Sequence, residues 1–138
     1  MNSLKALFAV MVLATATTTM AAECKDTKGN DIYNNPPVFQ ALISQAENCY
    51  QAAELAGACA WGSGLDVRTA GLAYAVCEAD LAKRQPVKAD TDLLTAMVER
   101  CGAHHDPDGG SMGRSFTAFC QLNAIEFIVK MIPFQEVY

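Results

Sequence analysis

Basic charge is scarce in this sequence. Ten Lys and Arg residues stand against fifteen Asp and Glu residues, which gives a formal net charge of −5 over 138 residues. Nucleic-acid-binding domains need a basic surface that neutralises phosphates and releases counterions, so nucleic acid is not an expected partner. The sequence also lacks a glycine-rich phosphate loop and a dinucleotide-binding fingerprint, which argues against a nucleotide-dependent enzyme.

Long apolar runs are missing as well. The run Ala6–Ala16 has 11 residues, whereas a membrane-spanning helix needs roughly 20. Lys5 precedes this run and small residues leading to Ala22 follow it, which is the pattern of a cleavable signal peptide. We therefore predict a signal peptide over residues 1–22, cleaved near Ala22. The mature protein, 23–138, is expected to be periplasmic or secreted and to contain no membrane span.

The six cysteines include no Cys-x-x-Cys pair, so neither a zinc knuckle nor a thioredoxin-like redox site is supported. An even number of cysteines in a small exported chain indicates a disulfide framework. The bonds considered are Cys101–Cys120, Cys49–Cys59 and Cys24–Cys77. The first would join the last two predicted helices across a polar loop, the second would close a turn between helices, and the third would hold an amino-terminal arm. Spacing alone leaves other pairings open.

Helical periodicity accounts for most of the chain after a polar arm at 23–35. Apolar residues recur at three- and four-residue steps in segments separated by glycine or proline. The predicted helices are 36 to about 55, 64 to about 84, 90 to 101, and a fourth that begins at 111 or 113 and ends at 132. The apolar stripe of the fourth consists of Met112, Phe116, Phe119, Cys120, Phe127 and Met131. No segment alternates with a two-residue period, so the expected fold is an all-α, four-helix bundle-like single domain stapled by disulfides.

The loop between the last two helices, His104-His105-Asp106-Pro107-Asp108-Gly109-Gly110, is the densest set of possible metal ligands. Imidazole and carboxylate suit zinc, nickel or copper, but the chain has no other histidine. The Asp-x-Asp-Gly fragment lacks the glutamate that completes a calcium loop. We interpret the loop as a surface turn available to a partner, and no metal or cofactor is expected.

The residues predicted to contact a partner are His104, His105, Asp106, Asp108, Gly109, Gly110, Ser111 and Trp61. Trp61 lies in a glycine-rich turn, where tryptophan can anchor an interface. The reading we favour is that it covers the ends of the neighbouring helices.

A catalytic set is not evident, and the protein is not expected to be an enzyme. Ser111 lacks the Gly-x-Ser-x-Gly context of a nucleophile elbow. Paired cysteines would leave no thiol nucleophile. The acidic residues of the predicted helices are expected on solvated faces; these are Asp66, Glu78, Asp80, Asp92 and Glu99. Ser63 and Asp66 also form a weak capping box for the second helix.

The segment from Cys101 through the Gly-Gly-Ser-Met sequence at 109–112 to Cys120 resembles the end of the LprI-like lysozyme-inhibitor family. These are small, exported, helical bacterial proteins, and Cys49 and Cys59 resemble their early cysteine pair. The resemblance implies an exported helical domain, a Cys101–Cys120 bond and a turn at 109–111. The Trp that the family carries in the helix before its third cysteine is absent from residues 93–100.

The sequence thus predicts an exported, non-enzymatic binding protein. The resemblance implies that its partner is a lysozyme or another cell-wall hydrolase, and a negative net charge would attract a strongly basic lysozyme. Two alternatives stay open. One is a structural or envelope-stress interaction module without inhibitory activity, and the other is a metal-binding module that uses His104 and His105.

Overall fold

A computed structural model describes residues 24–25, 28–30, 32, 34–105 and 109–133. The predicted signal peptide lies outside these residues. Over the described ranges the chain forms five α-helices and no β-strand, which confirms the all-α prediction. The helices are α1 (Pro36–Ser44), α2 (Cys49–Ala58), α3 (Gly64–Lys83), α4 (Lys88–His104) and α5 (Gly110–Met131).

The predicted first helix is in fact two helices, so the expected number of four is wrong. Asn48 adopts an extended conformation (φ −152°, ψ 168°) and caps α2. Its side-chain oxygen accepts a hydrogen bond from the backbone N–H of Gln51 at 3.0 Å, the bond that favours Asn at this position. Ile43, before the break, and Cys49, after it, are both fully buried. The apolar periodicity therefore continues through the break and hides it.

The core lies between α3, α5 and the short helices α1 and α2. Its buried side chains include Phe39, Ile43, Ala52, Ala56, Ala70, Ala73, Cys77, Leu122, Ile125 and Ile128. Among the described elements, α4 packs against α5 alone, and Cys101 is its single fully buried residue. This helix is therefore an attachment to the side of α5 rather than a full member of the core.

Three disulfide bonds join all six cysteines: Cys24–Cys59, Cys49–Cys77 and Cys101–Cys120. The third is the bond expected from the sequence, but the predicted bonds Cys49–Cys59 and Cys24–Cys77 are wrong. Cys49 begins α2 and Cys59 follows its last residue, so a helix rising 1.5 Å per residue separates them by about 15 Å. A disulfide needs Cα atoms within about 7 Å.

The observed bonds tie both ends of α2 to other parts of the chain. Cys59 holds the arm at Cys24, with 4.9 Å between the Cα atoms, and Cys49 holds α3 at Cys77, with 4.2 Å. Among the described helices, none is both long enough and apolar enough to cross a bilayer.

Candidate binding cleft between α4 and α5

Helix α5 has more apolar surface than the core covers. Leu122, Ile125 and Ile128 face inward and are fully buried. Phe116 and Phe127, which the sequence analysis placed on the same apolar stripe as the rest of the helix, are 53% and 49% exposed. A helix that is apolar on several faces needs cover on each of them. Since α4 covers α5 only in part, an apolar surface remains open.

A cleft of about 810 Å³ lies between α4 and α5. Its lining residues are Met97, Arg100, Cys101, His104, His105, Phe116, Phe119, Cys120, Asn123, Ala124 and Phe127. Small-molecule sites typically occupy about 300–1,000 Å³ and are lined mainly by apolar and aromatic groups with a few polar ones. The cleft has both the size and the lining of such a site.

Aromatic rings are close together at the end of the cleft near the α4–α5 connection. The centroids of the His104 and His105 rings are 5.2 Å apart in an edge-to-face arrangement. His105 is also 5.9 Å from Phe116, with the two ring planes tilted by 32°. These distances are typical of interacting aromatic pairs. Two predicted contact residues, His104 and His105, are therefore part of the cleft.

The Cys101–Cys120 bond holds the two walls of the cleft together. Cys101 lies on α4 and Cys120 on α5, their Cα atoms are 5.6 Å apart, and both residues line the cleft. Since α4 has little other buried surface, this bond is a principal restraint on the width of the cleft.

The titratable lining residues of the cleft are basic or imidazole groups: Arg100, His104 and His105. No described carboxylate lines the cleft or forms an ion pair with Arg100. Other described cations do have such partners, including Lys88 with Asp92 and Lys130 with Glu126. The cleft thus offers an uncompensated positive charge in a chain whose net charge is −5.

The remaining predicted contact residues are not gathered at the cleft. Gly109 precedes α5, and Gly110 begins it with φ +70°, a left-handed conformation that favours glycine. Ser111 is exposed on the first turn of α5, outside the cleft lining. Asp106 and Asp108 lie outside the described residues. Trp61 is in the α2–α3 turn and does not line the cleft, and its backbone N–H donates to Asp66 Oδ1 at 2.9 Å.

The part of the chain that the structure describes contains no group of three His, Cys, Asp or Glu residues able to hold a metal ion. Because two acids of the His104–Gly110 loop lie outside that part, the metal-binding alternative stays a prediction.

Two acidic residues expected on solvated faces are buried and have structural roles. Asp66 is fully buried. Its carboxylate accepts backbone N–H bonds from Trp61, Gly62 and Ser63 at 2.9, 2.7 and 3.1 Å, and the hydroxyl of Ser115 on α5 donates to it at 2.6 Å. Asp66 therefore fixes the α2–α3 turn and attaches it to α5, the helix that carries the aromatic wall of the cleft.

Asp80 performs a similar task at the opposite end of α3. Its Oδ2 accepts the backbone N–H of Cys49 at 3.1 Å, which satisfies a free donor at the start of α2. Its Oδ1 lies 3.4 Å from Nε of Arg84, and Arg84 Nη1 donates to the carbonyl of Ile132 at 2.8 Å. Asp80 and Arg84 thus connect α2, α3 and the end of α5.

Burial raises the pKa of the Tyr74 phenol above its ordinary value of 10.0, because the phenolate would lose hydration. The nearby Glu78 carboxylate raises the pKa further by repelling that negative charge. Tyr74 lies on α3 and does not line the cleft. Its raised pKa therefore reflects the packing of α3 and not the chemistry of the cleft.

Sequence reasoning missed Phe116, Phe119, Phe127, Met97 and Arg100 as site residues. The first three were assigned to the core-facing stripe of the last helix. The sequence did contain an indication of this site. A second apolar stripe runs along the same helix and consists of Leu122, Ile125, Ile128 and Val129. One helix with two apolar stripes predicts an extra buried or binding face.

Comparisons with protein-family models, with curated proteins and with solved structures found no match to this chain. The resemblance to the LprI-like family therefore stays a prediction, and the functional interpretation depends on the geometry of the cleft.

Proposed function

We propose that this protein is an exported, non-enzymatic binding protein whose binding site is the α4–α5 cleft. The observation that carries the proposal is the pair of half-exposed rings, Phe116 and Phe127, in an open cleft whose two walls are joined by a disulfide. Removing such apolar area from water yields about 25 cal/mol per Å². Binding of a ligand that covers these rings is therefore favourable, because it removes their exposed apolar area from water.

The restrained geometry of the cleft supports a binding role. A cleft whose walls are covalently joined loses little conformational freedom when a ligand enters, and preorganisation of this kind increases affinity. The most enclosed carboxylates described, Asp66 and Asp80, already accept backbone hydrogen bonds and so serve the fold rather than catalysis.

The cleft is expected to bind N-phenyl-1-naphthylamine, a neutral apolar dye whose fluorescence increases in apolar surroundings. A Phe116→Asp/Phe127→Asp variant should bind the dye at least about tenfold more weakly, because each ring contributes apolar burial worth about 1.5–3 kcal/mol when fully covered. Fluorescence titration of the oxidised protein measures both affinities.

Val38→Asp is the control for placing an acidic side chain at a partly exposed apolar position outside the cleft. Val38 is 38% exposed on α1, and α1 contacts neither α4 nor α5. Dye affinity should stay within about twofold of the unsubstituted protein, since the apolar area at the cleft is unchanged. Absence of dye binding, or equal loss in both variants, would contradict the proposed site.

Inhibition of a basic cell-wall hydrolase is a second candidate function, favoured by the net charge of −5. Its expected contact is the acidic loop between α4 and α5, the two helices that the Cys101–Cys120 bond joins, rather than the basic-lined cleft. The protein should slow lysozyme in a cell-wall turbidity assay at low salt and less well at high salt, because salt screens charge attraction.

An Asp106→Ala/Asp108→Ala variant tests whether inhibition depends on the loop or on other acidic surface. Inhibition should weaken in the variant and persist in Asp92→Ala, which removes an exposed acid on α4. No inhibition at micromolar concentration would reject this candidate. Recovery of an envelope assembly component from a periplasmic extract, instead of a hydrolase, would favour the structural module.

A further inference from the structure

We propose that the α4–α5 cleft binds an amphipathic anion, a medium- or long-chain alkyl carboxylate. Its alkyl chain would lie along the aromatic wall of α5, and its carboxylate would pair with Arg100 on α4. This inference rests on the proposed function, because it names the ligand class of the same cleft.

The positive charge of the cleft favours a negatively charged ligand. Arg100 is permanently charged, presents donors that match a carboxylate, and forms no ion pair with a described carboxylate. His104 and His105 also line the cleft and add ring N–H donors to it. Since no described acidic residue lines the cleft, an anion is attracted and an alkyl cation of equal length is not.

The length of the cleft favours a ligand with an elongated apolar chain. Phe116 and Phe127 are eleven residues apart on α5, which corresponds to about 16 Å along a helix axis. Phe119 lies between them, and Met97 lines the opposite wall. A flexible alkyl chain can follow this length of apolar surface, whereas a compact polar anion would leave the rings exposed to water.

The charge of the whole chain disfavours a second copy as the occupant. Two copies would each have a net charge of −5, so they repel one another at long range. A protein helix is disfavoured by size, because the volume of about 810 Å³ is that of a small-molecule site rather than of a broad interface.

Displacement of the bound dye tests the ligand class with the oxidised mature protein, residues 23–138. Dodecanoate should displace N-phenyl-1-naphthylamine, and dodecyltrimethylammonium, a cation of equal chain length, should require at least about tenfold higher concentration. From octanoate to dodecanoate the affinity should increase by up to about fourfold per added methylene, the fold-change that corresponds to about 0.8 kcal/mol. All ligands are used below their micelle concentrations.

Arg100→Gln tests the carboxylate contact directly. The variant should bind dodecanoate about tenfold more weakly, the usual scale of a charged hydrogen bond, and its loss of affinity for dodecanoate should exceed its loss of affinity for the neutral dye. Arg68→Gln is the control, because Arg68 is exposed on α3 and does not line the cleft.

The outcomes separate this inference from the proposed function. If the dye binds but anion and cation displace it equally, or if Arg100→Gln leaves dodecanoate affinity unchanged, the carboxylate assignment is wrong and the binding cleft stands. If the dye does not bind, both are wrong. A stable dimer that excludes the dye would identify a second copy as the occupant and would also overturn the inference.

Discussion

Asp66→Ala is expected to lower the free energy of unfolding by about 2–4 kcal/mol, because each buried or partly buried donor that loses its acceptor costs about 1–3 kcal/mol and some regain water. The carboxylate accepts hydrogen bonds from three backbone N–H groups of the α2–α3 turn and from the Ser115 hydroxyl. Its loss therefore affects the turn and the attachment of the turn to α5 together. Urea unfolding followed by far-ultraviolet circular dichroism measures the change.

Two substitutions calibrate this result. Asp92→Ala removes an acid that is 62% exposed in an i,i+4 pair with Lys88, so it should cost less than about 0.5 kcal/mol. Ser115→Ala removes one of the four donors to Asp66 and should cost about 1 kcal/mol. If Asp66→Ala is no more destabilising than Asp92→Ala, the proposed role of the buried carboxylate is wrong.

Asp66→Asn distinguishes hydrogen-bond acceptance from side-chain volume. The amide has nearly the same size as the carboxylate, but one of its two polar atoms is a donor. That NH₂ group would face donors from the turn or from Ser115. The variant should therefore recover little of the stability lost in Asp66→Ala.

Removal of the Cys101–Cys120 bond by a double Cys→Ala substitution is the second large effect. The cysteines are 19 residues apart, and the chain-entropy estimate for closing a loop of that size is about 3 kcal/mol. The loss of stability should be largest in α4, because this helix packs on α5 alone among the described elements and has one fully buried residue, Cys101. Hydrogen exchange should accelerate over residues 88–104 more than over α3.

The same variant should also lose dye binding, since the two walls of the cleft are no longer joined. The matched control is the double Cys→Ala substitution of Cys24 and Cys59. Their bond closes a loop of 35 residues, and its expected entropic contribution to stability is similar. That control should lose comparable stability yet bind the dye normally. Retention of both α4 protection and dye binding in the Cys101–Cys120 variant would contradict the role of this bond in holding the cleft walls together.

Local sequence signals were sufficient for most helices. Ser63 and Asp66 mark the start of α3, as the capping box predicts, and the three- and four-residue spacing locates α4 and α5. These signals act between residues close in sequence, so a periodic pattern and a cap contain nearly all the necessary information. The break between α1 and α2 was missed because both helices bury the same periodic face, and the Asn48 cap was the one local sign of it.

Disulfide pairing and the burial of Asp66 needed the tertiary structure. The Cys49–Cys59 prediction failed because the length of α2 was not recognised, and a helix between two cysteines separates them more than their spacing suggests. Asp66 appeared to be a solvent-exposed cap, since nothing local indicates that Ser115 of α5 covers it.

The amino-acid sequence by itself determined an all-helical chain and its surplus of apolar residues on the last helix, because helix formation and periodicity are properties of neighbouring residues. Only the tertiary structure decided which apolar stripe of α5 enters the core and which lines the cleft. The two stripes are chemically alike, and the choice between them depends on which surfaces α3 and α4 present to α5 in space.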